Sequence, residues 1–512
     1  MMILPQNLGA CLVSAAAERI ALIDIADPAS PRTITYGPLD HAIAAAAGGL
    51  AARGLAPGAR IGLLSLNRWE YVVLFLAAMR GGFVAVPISI KFPADTIAHV
   101  VRDAALSLLV HDAARTSLLP EGVPALDLDD NAAHASLFSA PAAAVAAVAP
   151  HDLAMILYTS GSTGMPKGVL LSHESQRWAL RQALRINGDI SGERYIVAAP
   201  LFHMNATFST QLALAGGASL VLMPSFNARL YAEAIARFQI TALTSVPTML
   251  ALVARERAAG VPVDTSSVRR VMMGSAPLTQ ALINKVQAMF PGVPITNSYG
   301  TTEAGPLVFG PHPEGKPRPS LSIGYPLAGG EVALREGPSP DEGVLYMRNP
   351  ALMAGYNNLP GKTAEAMRDG WYRSGDIMRR DADGWFYFLG RADDMFVVGG
   401  ENVWPSEVES VIERMPGVHQ ACVVPVSDEI KGALPFAFVV LRPGTTLDEA
   451  AVKAWCLANA PAFAHPRFVA FIDAIPLAGT NKPDRRMLRE RAETLADERR
   501  AAASPDRGTA TP

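Results

Sequence analysis

The chain is short of cysteine, of net charge and of long apolar runs, and each shortage removes a class of function. Its three cysteines, Cys11, Cys422 and Cys456, are scattered. No pair has metal-ligand or redox spacing, so reduced, mostly buried thiols in a cytoplasmic protein are expected. A formal net charge of -3 with 18% charged residues gives no basis for a nucleic-acid partner. Residues 1–10 lack the basic segment of a secretory signal. No apolar run reaches the roughly 20 residues that span a bilayer. Residues 71–79 are too few, and the Ala-rich stretch 132–150 is broken by His134, Ser136, Ser139 and two prolines. That stretch reads as a surface connection or weak helix. Internal repeats with a period of roughly 20 to 50 residues are absent as well, which excludes a solenoid.

What is present is 512 residues, half of them hydrophobic, enough for more than one core. Apolar, β-rich runs at 61–66, 83–88, 106–110, 194–199, 219–223, 242–246 and 268–273 alternate with helical patterns at 70–80, 93–103, 178–186, 230–237 and 280–289. Strand–helix–strand order of this kind predicts parallel sheets with helices on their faces. After about residue 315 the texture changes. Short strands at 331–334, 343–348 and 385–388, punctuated by Gly, Pro and Asp, predict an antiparallel β subdomain. A compact α+β segment follows, with helices at 406–414 and 447–460 and strands at 418–426, 435–441 and 467–471. The fold class is therefore α/β. A large N-terminal domain of packed α/β sheets plus a β subdomain, residues 1–391, precedes a small α+β C-terminal domain, 392–512. The linker is placed near 391–394, and the tail from about 492 is expected to fray.

The strongest local signal spans 154–169. A strand runs into Thr159-Ser160-Gly161-Ser162-Thr163-Gly164-Met165-Pro166-Lys167. Glycines let a backbone approach an anion closely, hydroxyls and amides donate to phosphate oxygens, and Lys167 adds charge. The run fits neither G-x-x-x-x-G-K-[ST], because Gly168 follows Lys167, nor G-x-G-x-x-G. The alternative reading is a solvated turn between two strands.

This loop resembles the phosphate loop of the adenylate-forming superfamily, which includes acyl-CoA synthetases, peptide-synthetase adenylation domains and luciferases. Further resemblances recur in order: Pro200-Leu201-Phe202-His203, Gly274-Ser275-Ala276-Pro277, Tyr299-Gly300-Thr301-Thr302-Glu303, Trp371-Tyr372-Arg373-Ser374-Gly375-Asp376, Gly390-Arg391-Ala392-Asp393-Asp394, Gly399-Gly400-Glu401-Asn402-Val403 and Asn481-Lys482. The resemblance implies a ligase that uses ATP, Mg²⁺ and coenzyme A. Carboxylate attack on the α-phosphate of ATP releases pyrophosphate and leaves an acyl-AMP, and a thiol then takes the acyl group.

The resemblance also implies roles. Thr159, Ser160, Gly161, Ser162, Thr163, Gly164 and Lys167 would hold the β- and γ-phosphates, Thr302 the α-phosphate and Glu303 the Mg²⁺. Tyr299 would stack on adenine, with Gly274, Ser275, Ala276 and Asn297 lining the base and Gly300 and Thr301 beside it. Asp376 and Arg391 would bind the ribose. Lys482 would bridge carboxylate and α-phosphate, as a mobile point charge can. Many relatives carry Thr-Gly-Lys where this chain has Thr480-Asn481-Lys482. Asp393 marks the hinge about which a mobile C-terminal domain would turn. Gly399 and Gly400 would then line the pantetheine path, with Lys91, Lys431, Phe463, His465 and Arg467 as CoA contacts.

His203, Met204, Asn205, Phe208, Ser245, Val246, Met272, Met273, Ser298, Gly300 and Thr301 are the expected acyl-pocket residues. None is cationic, which disfavours a second carboxylate on the substrate. A medium-chain fatty or aromatic monocarboxylic acid fits, and a homodimer is compatible with this reading. The alternatives are a stand-alone adenylation enzyme loading a carrier-protein phosphopantetheine, a luciferase-type monooxygenase, and a catalytically silent nucleotide-binding regulator.

Overall fold

The computed structural model describes the chain except for residues 1–3, 14–15, 160–164, 262, 277, 400, 478–482 and 504–512. Two seven-stranded sheets make the bulk of it. One runs, in spatial order, Ile295–Ser298, Arg270–Gly274, Ala242–Ser245, Arg194–Val197, Ser219–Leu222, Ile20–Asp24 and Arg32–Thr35. Every pairing in it is parallel except the last. The other is parallel from Ala125–Asp127 through Leu108–His111, Arg60–Leu64 and Val84–Pro87 to Leu153–Thr159. Lys167–Ser172 then turns back antiparallel, and Gly355–Tyr356 closes the edge.

Helix Trp69–Arg80 is apolar nearly all round (WEYVVLFLAAMR), and every residue from Trp69 to Met79 is buried. A helix with no polar face must be covered on all sides. Here one continuous core joins it to Leu63 and Ala85 of one sheet and to Leu22 and Leu220 of the other. Its one acid, Glu70, is held by Arg68 at 2.8 Å.

The expected change of texture is real. Glu331–Ser339, Glu342–Arg348, Trp371–Arg380, Met367–Arg368 and Phe386–Arg391 form an antiparallel sheet. The last five-stranded sheet, with helices Pro405–Glu413 and Glu449–Asn459, has its own hydrophobic cluster drawn from residues between Phe396 and Ala496. The tail corrects the sequence reading. Helix Arg485–Ala503 continues past 492, because Leu488, Ala492 and Ala496, spaced one turn apart, are fully buried against that cluster.

Candidate active site

Parallel sheets place ligands beyond the carboxyl ends of their strands. Three neighbouring strands of the first sheet end at Ser245, Gly274 and Ser298, and all three residues open on a cleft of about 1730 Å³. The far wall comes from the antiparallel sheet and from the C-terminal domain, with Asp376, Arg391, Glu409, Glu413 and Pro483–Arg486 among the lining residues.

The strand ends approach each other too closely for side chains at two positions. A Cβ on Gly274 would lie 2.5 Å from Ser298 Oγ and 2.7 Å from its carbonyl oxygen, and one on Gly300 would lie 2.3 Å from the Pro306 carbonyl oxygen. Ser275 follows with φ +67°. Beside this floor, the Tyr299 hydroxyl donates to Asp376 Oδ2, and Arg391 Nη1 donates to Asp376 Oδ1 at 2.9 Å. The two strands that carry Asp376 and Arg391 bring them directly opposite one another. Asp376 is only 6% exposed, and it has one tyrosine and one arginine to balance its charge. Burial and then the Asp376 charge push the Tyr299 phenol well up. Asn297 donates from its side-chain amide to Leu321 O at 2.9 Å.

A second corner gathers the phosphate-loop ends. Thr159 and Lys167 pair across the hairpin. The Lys167 ammonium sits 4.4 Å from the centre of the Tyr356 ring, and Tyr356 Oη donates to Glu303 Oε1 at 3.0 Å. Thr301 Oγ1 accepts from Ala304 N at 2.9 Å, which shapes the turn that presents Thr302 and Glu303 to the cleft. Sequence reading missed Tyr356. It also missed the burial of Tyr372, whose phenol is raised by desolvation and then by the nearby Glu303 charge. Neither has a local signature, because both meet Glu303 only through the fold.

A third region is apolar. His203, packed edge-on against Phe202 at 4.6 Å, precedes helix Met204–Ala215. Met204, Asn205, Phe208, Val246, Ser298 and Gly300 all line the cleft as expected. Met273 does not. It is fully buried in the core on the opposite face of the sheet, so of the two methionines named only Met272 lines the cleft. Successive strand residues point to opposite faces, so the correction follows from the pleat.

Of the CoA candidates, Lys91 lines the cleft, and burial lowers its pKa. The other described candidates stand apart from the cleft on the C-terminal domain. Gly399 (φ +60°) donates its N–H to the Lys431 carbonyl, Arg467 contacts His465 at 2.6 Å, and Phe463 packs on the domain core. Burial, aided by the Arg467, Lys453 and Lys431 charges, lowers the His465 pKa. Asp393 accepts from Arg391 Nη2 at 3.0 Å. Beside it, Arg485 lies 3.8 Å from Asp394 and 2.8 Å from Glu409. Arg485 thus ties the 393–394 segment to helix Pro405–Glu413. Ser160, Gly161, Ser162, Thr163, Gly164, Gly400 and Lys482 lie outside the described residues.

The donor set around Glu303 suits a magnesium ion bridging phosphates. It offers one hard carboxylate with an oxygen not taken by Tyr356, and a lysine nearby for the remaining phosphate charge. Among the described residues no cluster of His, Cys, Asp and Glu forms an all-protein metal cage. No described helix is long and apolar enough to cross a membrane.

Residues 13–357 match the family described as AMP-binding enzyme, and residues 407–482 match the AMP-binding enzyme C-terminal domain. A feruloyl-CoA synthase of Amycolatopsis sp is 33% identical over 466 residues, covering 88% of this chain and 92% of that protein. Long-chain-fatty-acid–CoA ligase FadD13 of Mycobacterium tuberculosis is 29% identical, over 95% of this chain and 98% of that protein. Among solved structures, ATP-bound MatB from Rhodopseudomonas palustris matches with a TM-score of 0.87 at 28% identity, covering 96% of this chain and 99% of that one.

Proposed function

We propose that this chain, which belongs to the AMP-binding enzyme family and is an AMP-forming acid–thiol ligase, activates a monocarboxylic acid with ATP and delivers the acyl group to coenzyme A. The observation that carries the reading is the continuity of one cleft. It joins the Tyr299–Asp376–Arg391 corner, the Lys167–Tyr356–Glu303 corner and the apolar region behind His203.

In the first corner Asp376 has both oxygens engaged on one side, yet each retains a lone pair that can accept from a ribose hydroxyl. The arginine and tyrosine fix the carboxylate in place before substrate arrives, so little reorganisation is needed. The Gly274 and Gly300 floor leaves a flat slot in which a base can lie against backbone. In the second corner Lys167 and the hydroxyl of Thr302 neutralise and orient phosphate oxygens. Glu303 would hold Mg²⁺, which supplies charge neutralisation for the leaving pyrophosphate. A carboxylate oxygen then forms a bond to the α-phosphorus as the bond to the β-phosphate oxygen breaks. Lys482 would accompany the charge during this step. His203, at the mouth of the apolar region, would orient the carboxylate. In the second step the CoA sulfur attacks the acyl carbonyl and AMP leaves. This step calls for the C-terminal domain to turn about Asp393 so that Gly399 and Gly400 reach the cleft.

Met204, Phe208, Leu212 and Met272 give the pocket its apolar character, which supports a fatty or aromatic acid. The test is a panel of such acids assayed for pyrophosphate release with and without CoA, with acyl-CoA identified by mass. Pyrophosphate release without acyl-CoA, together with acylation of a phosphopantetheinyl carrier protein, would move the acceptor from CoA to the carrier.

A further inference from the structure

The cleft wall beside the apolar residues is not wholly apolar. Ala183 and Asn187, one turn apart at the end of helix His173–Asn187, face the cleft together with Ser209 and Leu212 of helix Met204–Ala215. Behind Asn187 stands Arg270. Its strand carries Gly274, Met272 and Arg270 on one face, so the face runs from the nucleotide floor, through the pocket wall, to the guanidinium. Arg270 Nη1 donates to Asn187 Oδ1 at 2.7 Å, and Nη2 lies 3.2 Å from Glu193 Oε1.

These contacts determine what that wall offers. Arginine has only donors, so the amide atom facing it is the oxygen, and the amide nitrogen of Asn187 is turned away. One of its hydrogens goes to Ala183 O at 2.8 Å. The second has no acceptor among the described residues, on a residue that lines the cleft. The charge of Arg270 is already balanced by Glu193, which is 7% exposed. A second carboxylate arriving here would add an uncompensated charge. A neutral oxygen would not. Asn187 therefore offers the cleft one unused hydrogen-bond donor, held beside an arginine whose charge is already paired.

We infer that the acid activated by this enzyme carries a neutral oxygen, as hydroxyl, ether or oxo, at the end remote from its carboxylate, and that the Asn187 amide N–H receives it. This rests on the acid-activating reading above and narrows it. Asn187 is a specificity residue here, and Arg270 with Glu193 positions it.

The test measures kcat/KM for acid-dependent pyrophosphate release with pairs of acids that differ only in the distal oxygen. Suitable pairs are 3-phenylpropenoic acid against its 4-hydroxy and 4-methoxy forms, and hexanoic acid against 5-oxohexanoic acid. In at least one pair the oxygen-bearing acid should be preferred by about tenfold or more, since a site built to hydrogen-bond a group discriminates strongly against its absence. Asn187→Leu should bring that ratio to near one. Asn187→Ser, which is smaller and polar and guards against a folding failure, should lower the ratio by at least about threefold. Pyrophosphate release with no preference in either pair, a preference that survives both substitutions, or a stronger response to the matching dicarboxylic acids would each overturn the inference while leaving acid activation standing. Absence of pyrophosphate release with every acid would overturn both.

Discussion

Asp376 is the position at which the proposed nucleotide site can be tested most directly. Its carboxylate is nearly inaccessible, receives the Tyr299 hydroxyl on one oxygen and Arg391 on the other, and faces the cleft. If it also accepts both ribose hydroxyls, Asp376→Ala removes two hydrogen bonds to a charged acceptor. At about 1.5–3 kcal/mol each, that is roughly 3–6 kcal/mol, or a loss in kcat/KM for ATP of about two to four powers of ten. Asp376→Asn is the sharper instrument. Its side-chain oxygen can still accept from Arg391 and its amide can donate to Tyr299, so the corner keeps its shape. One accepting oxygen is replaced by a donor, and about 1.5–3 kcal/mol should go. The assay is acid-dependent ATP–pyrophosphate exchange with ATP, 2′-deoxy-ATP and 3′-deoxy-ATP. The wild-type enzyme should discriminate against both deoxynucleotides, and Asp376→Ala should treat all three nearly alike. If Asp376→Ala retained wild-type discrimination, or lost less than about threefold in kcat/KM for ATP, the ribose would lie elsewhere and Asp376 would serve only to hold Arg391 and Tyr299.

Lys482→Ala should cut acid-dependent pyrophosphate release by about a hundredfold or more while leaving transfer from supplied acyl-AMP to CoA within about threefold; equal loss of both steps would sink the two-step division of labour. Glu303→Gln keeps an acceptor for Tyr356 but loses the charge, so the Mg²⁺ concentration giving half-maximal pyrophosphate release should rise by about tenfold, and an unchanged Mg²⁺ titration would remove Glu303 from the ion's site. Glu413, at the cleft side of the C-terminal domain, is pushed by burial from 4.5 to about 7. Its contribution to stability is therefore full below pH 4.5 and lost as pH rises through 7, a penalty of about 3 kcal/mol. Thermal melts at pH 5 and pH 8 should show this difference in the wild type and much less of it in Glu413→Gln; identical pH dependence in the two proteins would mean that Glu413 ionises freely.

What could be read in the sequence shares one property. Gly274 and Gly300 satisfy needs of a few consecutive residues, so the required backbone shape leaves a local trace. Asp376 and Arg391 were also legible, because each sits in its own motif, although only the sheet register brings them opposite one another. The failures need information that no short window holds. Met272 and Met273 have equal claims in a list of apolar residues. Which one lines the pocket depends on strand parity relative to the cleft, and strand 270–274 acquires that parity from neighbours at 242–245 and 295–298. The length of the last helix was misjudged because Ala492 and Ala496 look like nothing in a charged tail until the core at Val423 and Phe438 exists to cover them.

The same distinction bears on why specificity is hard to transfer between relatives. The nucleotide corner is built from motifs whose spacing along the chain is short and whose tolerance for change is small, because a single Cβ at Gly274 or Gly300 would collide with backbone. The proposed distal contact is built from Asn187, Glu193 and Arg270, which belong to a helix, a loop and a strand. Any of them can change without touching the nucleotide floor. Two proteins can therefore share the first completely and differ in the second. That is consistent with relatives at 33% and 29% identity bearing the names of a feruloyl and a long-chain fatty acyl ligase. Identity to one of them carries little weight for the acid. The contact between Asn187 and Arg270, 83 positions apart in sequence, carries more, because it fixes a polar side chain at the wall of the cleft.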